Sequence, residues 1–99
     1  MTGFPEEYRG AATLRLGDRD IAAEVRLSAR FEPVEGRYRW AGRTGPDETL
    51  LAQVRACVRE AALHIAGSRV VTARLGEPDP WGGVRLAGAG TPPWAASAG

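Results

Sequence analysis

The sequence predicts a mostly β fold: a small antiparallel six-stranded barrel or rolled sheet with one short helix. Three observations carry the prediction. Six apolar residues recur at every second position from Ile21 to Phe31, the period of a half-buried strand. Glycine- and proline-bearing turns punctuate the chain at Gly17-Asp18, Pro33 to Gly36 and Gly76 to Gly83. Helical spacing is confined to one stretch, which opens after Thr44-Gly45-Pro46-Asp47.

The elements follow in order. Residues 1–9 read as a leader that packs back through Phe4 and Tyr8. The first strand is Ala11 to Leu16, with Ala12, Leu14 and Leu16 on one face. Gly17-Asp18-Arg19-Asp20 is a hairpin turn. The second strand places Ile21, Ala23, Val25, Leu27, Ala29 and Phe31 on its core face. At ~3.3 Å per residue it runs about 36 Å, so it is expected to bend and pair with different neighbours along its length. Glu32-Pro33-Val34-Glu35-Gly36 turns the chain into a third strand, Arg37 to Arg43, whose Tyr38, Trp40 and Gly42 are expected to join that core face. Asp47 then starts a helix. Spacing alone allows it to run to Ala66, but Ala61 to Ile65 also fits a strand. Arg69 to Leu75 is a strand by its β-branched content, and Val84 to Ala87 is the last. Pro92-Pro93-Trp94 reads as extended.

Composition bounds the function. The 99 residues allow one domain, taken as 1–94 with 95–99 as a disordered tail. Thirteen basic residues, all arginine, face twelve acidic ones, and a net charge of +1 gives no global attraction to nucleic acid or an acidic membrane. The lone Cys57 forbids an internal disulfide and suits the reducing cytoplasm. The N-terminus lacks the pattern of a signal peptide, and no apolar run is long enough to cross a bilayer. No metal-ligand spacing and no flavin or nicotinamide fingerprint occurs, so neither metal nor cofactor is expected.

Two longer segments and a short one resemble a known family. They are the run Arg30-Phe31-Glu32-Pro33-Val34-Glu35-Gly36-Arg37-Tyr38-Arg39-Trp40-Ala41-Gly42-Arg43, the segment Asp79-Pro80-Trp81-Gly82 with Val84, Gly88, Gly90 and Pro92-Pro93, and Tyr8-Arg9-Gly10-Ala11-Ala12. Together they are similar to an uncharacterised actinobacterial small-domain family that carries a domain-of-unknown-function label. Its members occur alone and as tails on flavin-dependent monooxygenases. The resemblance implies a compact β-rich domain working near small-molecule oxidation or secondary metabolism. It also implies that the helix stops near Cys57 and that residues 61–65 form a strand. It brings no catalytic residues to carry over.

Candidate chemistry therefore rests on single residues. His64 is the one histidine, the side-chain type that exchanges protons near neutral pH. Glu24 sits mid-strand on the polar face, where it would pair with a neighbouring arginine or, if that face lined a cavity, act as a general base. Asp79 should bond turn N–H groups or stand at a pocket mouth, with Trp81 plugging one end of the barrel. Phe31, Tyr38, Trp40 and Trp81 are the candidate ligand walls. Cys57 reads as a small core residue, and Arg37, Arg39 and Arg43 as a stripe paired with carboxylates. The functional expectation is a barrel that binds a hydrophobic, polyketide-like molecule. There His64, Glu24 or Asp79 would move a proton in a cyclisation, dehydration or isomerisation. The alternative is a non-catalytic accessory domain docked on a flavin monooxygenase through exposed sheet edges or Pro92-Pro93-Trp94. A homodimer would cover open edges in either case.

Overall fold

The computed structural model describes residues 6–94. Six strands and one helix follow in the order β1 (Glu7–Leu16), β2 (Arg19–Glu32), β3 (Arg37–Thr44), α1 (Glu48–Arg55), β4 (Glu60–His64), β5 (Val71–Pro78) and β6 (Val84–Ala89). All neighbours are antiparallel, and the sheet closes as a barrel in the order β1-β2-β3-β6-β5-β4. Closure comes from a short pairing of β1 with β4, Thr13 opposite His64 through Arg15 opposite Ala62. It closes the ring only at residues 13–15 of β1; among the described residues, 7–12 pair with β2 alone.

The long second strand behaves as its length demands. It pairs with β1 over residues 19–28 and with β3 over residues 25–32. The β2–β3 hairpin turns through Pro33 to Gly36, where Gly36 at φ +70° supplies a left-handed residue at little cost. Its N–H donates to the Glu32 carbonyl at 2.8 Å.

Inward-facing residues of every strand form one cluster that includes Leu14, Val25, Leu27, Trp40, Leu63, Leu75 and Leu86. Burying such side chains stabilises the fold by about 1.5–3 kcal/mol each. The helix adds Leu50 and Val54 from its apolar face. Asp47 caps it: its carboxylate accepts from the Leu50 N–H at 2.9 Å and satisfies an otherwise unpaired donor.

Several expectations are corrected. Strand β1 begins at Glu7, so Tyr8 is part of the sheet rather than of a leader. Its hydroxyl donates to the Ala11 carbonyl at 2.7 Å. Phe4 and the tail 95–99 lie outside the described residues. Strand β5 is shifted to Val71–Pro78, while the helix-then-strand division is as the resemblance implied. Cys57 is exposed rather than in the core, because it follows the helix end in a left-handed conformation, φ 71°. Trp81 does not plug the barrel and is 69 % exposed. Trp94 is buried instead and stacks on Tyr8 at 6.3 Å. Pro92 and Pro93 are buried with it, so this segment is not free to dock on a partner.

Candidate functional site

The aromatic residues expected to line a pocket do not share one. Trp40 points inward, is 2 % exposed and lies against Gly88 of β6. Its indole N–H has no hydrogen-bond partner among the described residues. Tyr38 is half-buried, and Phe31, 50 % exposed, meets it edge-on at 5.4 Å. Alternation placed Phe31 on the core face, but the hairpin carries it past the last inward layer. With Val34, 98 % exposed, it forms an apolar hairpin tip.

The three candidate proton handlers all lie outside the barrel's core, with His64 apart from the other two. His64 projects from β4 beside Thr13 of β1. Glu24 projects from β2 beside Ala11 on the opposite side of β1, two strand spacings or about 10 Å from β4. Glu24 makes none of the ion pairs found among the described residues. Asp79 holds its own turn: Oδ1 accepts from the Trp81 and Gly83 N–H groups, both at 2.9 Å. That is the Asx arrangement its sequence suggested. Among the described residues no group of three His, Cys, Asp or Glu side chains could hold a metal.

The expected basic stripe along β3 is divided. Glu35 takes Arg39 in a bidentate pair at 2.6 and 2.7 Å, and Arg37 lies 3.8 Å away. The Arg39 hydrogen bond holds the Glu35 carboxyl below its ordinary range; slight desolvation opposes this, and the charges of Arg39 and Arg37 reinforce it. Arg43 belongs to a different array that runs across the strands. Register sets Arg9 opposite Arg26, Arg26 opposite Arg43 and Arg43 opposite Arg85, so four outward arginines form one row over β1, β2, β3 and β6. Beside the row lies a floor of small side chains, Ser28, Ala41 and Ala87. Together they border an outer groove of about 970 Å³. A second groove of about 360 Å³ shares Arg9, Arg26, Arg43 and Asp79 with the first and adds Glu24 and Trp81. Arg43 lies over the Trp81 ring at 5.4 Å, a cation–π contact that holds its guanidinium in place. The row was not legible in the sequence, because its members lie 17, 17 and 42 residues apart and meet only through cross-strand register.

A family model described as a domain of unknown function, DUF4873, matches residues 5–96. The chain belongs to the DUF4873 family. Similar relatives are uncharacterised proteins of Mycobacterium bovis and of two strains of Mycobacterium tuberculosis, each 40 % identical over 94 residues. The match takes in 93 % of this chain and 26 % of each relative, so this DUF4873 chain spans about a quarter of their length. No solved structure matches.

Proposed function

We propose that this DUF4873 domain is a non-catalytic binding module that serves a larger protein from its outer surface. The observation that carries the reading is the filled interior. Leu14, Leu63 and Trp40 pack inside the closed sheet, in the space a hydrophobic substrate would need. The quarter-length match to longer relatives supports an accessory role. By its resemblance, the partner class is a flavin-dependent monooxygenase, and the unpaired thiol of Cys57 suits a cytoplasmic setting.

One arrangement favours a second, catalytic reading. Glu24, Asp79 and Trp81 border the same outer groove, so a hydrophobic, polyketide-like substrate lying there would have carboxylates within reach for a cyclisation, dehydration or isomerisation. Titrating the ¹⁵N-labelled chain with a fused-ring naphthoquinone separates the readings. The module reading expects the Leu14, Leu63 and Trp40 amides to stay in place, and large shifts at all three would sink it. Shifts confined to Glu24, Asp79 and Trp81, with conversion of the probe abolished by Glu24→Gln, would favour the catalytic reading.

A further inference from the structure

We infer that the arginine row on the outer sheet is a binding site for a diphosphate-bearing ligand of the nucleotide type. This inference rests on the outer-surface reading above. Like charges set directly opposite one another across strands are destabilising. In the other cross-strand arginine pair, Arg30 opposite Arg39, acids answer the charges: Glu32 for Arg30 and Glu35 for Arg39. Arg9, Arg26, Arg43 and Arg85 receive no such partner among the described residues. Glu7 and Glu24 stand one row to either side, opposite Ser28 and Ala11, without reaching ion-pair distance.

The geometry selects the ligand. At the ~4.8 Å spacing of neighbouring strands the row extends about 14 Å. Guanidinium groups so closely spaced call for several negative charges within a few ångströms, which a diphosphate provides and a single carboxylate does not. The small floor allows the ligand to approach the backbone. Next in the row stands Gly76 of β5, where an added Cβ would come 3.2 Å from that of Arg85. Arg74 borders the far side of the groove. At the Asp79 end, Trp81 offers a ring on which a base can stack.

The test is titration of the ¹⁵N-labelled chain with ADP, inorganic pyrophosphate and adenosine at low ionic strength. ADP and pyrophosphate are expected to move the amides around Arg26, Arg43 and Arg85. ADP should bind about tenfold more tightly through Trp81, and adenosine should cause no saturable shift. Arg26→Ser combined with Arg43→Ser should weaken ADP by about 100-fold. Arg15→Ala combined with Arg19→Ala removes the same charge elsewhere and should change it less than about twofold. Absence of binding by both ADP and pyrophosphate overturns the inference while leaving the surface-module reading intact. Equal losses in the two double variants, or binding of a single-stranded oligonucleotide without ADP, also overturn it. ADP-induced shifts at Leu14, Leu63 and Trp40 would contradict both.

Discussion

Replacing Gly88 with alanine should destabilise this barrel far more than a glycine-to-alanine change on a strand ordinarily does. The new Cβ would collide with Cζ2 and Cε2 of the Trp40 indole and come 2.8 Å from Nε1. The ring is rigid and 2 % exposed, so it cannot swing into solvent to make room. Overpacking of this kind costs about 1–3 kcal/mol, and three clashes on one fused ring place the substitution near 2–3 kcal/mol. For a domain of this size each kcal/mol lowers Tm by about 4–8 °C, so thermal unfolding followed by circular dichroism should fall by about 10–20 °C. Trp40→Phe in the same chain should recover part of the loss, with a coupling of at least about 1 kcal/mol in a double-mutant cycle. A Gly88→Ala protein that melts within about 3 °C of the parent is the opposing outcome. It would mean that the indole is not seated on β6 and that the interior has room to spare.

Three further outcomes follow from other contacts. Thr44→Val removes the hydroxyl that accepts the buried Val84 N–H at 3.0 Å and should cost about 1–3 kcal/mol in urea unfolding, whereas Thr44→Ser should cost much less. Asp47→Ala deletes the helix cap and should lower stability by about 1 kcal/mol, with Asp47→Asn nearly neutral. Glu35 has a folded-state pKa below its ordinary value of 4.5, so its ion pairs with Arg39 and Arg37 stabilise the fold above that value. That contribution disappears as pH falls through the depressed folded value. A carboxyl-carbon NMR titration should show Glu35 protonating below ordinary glutamates, and Glu35→Gln should remove that portion of the acid dependence.

What the sequence makes legible here is local. The alternation of Ile21 to Ala29, the Pro33–Gly36 turn and the Asp47 cap each depend on residues within a few positions of one another, and each takes the form it predicts. The turn-holding carboxylate of Asp79 is equally local. The remainder depends on distant pairings. Alternation gives the face on which Phe31 lies but not that the hairpin carries it past the core. The Pro92-Pro93-Trp94 composition signals an extended chain, whereas its burial depends on Tyr8 at the other end of the described chain. Arg9, Arg26, Arg43 and Arg85 are ordinary outward residues within their own strands and become an array only when the strand registers are known.

In this reading the barrel interior is occupied by its own side chains and the domain works from outside. A xenon-pressurised crystal tests it most directly, since xenon enters dry apolar cavities and marks them with strong scattering. A filled barrel admits no xenon between Leu14, Leu63 and Trp40. An ordered xenon atom among those three residues would contradict it and return the interior to consideration as a ligand site.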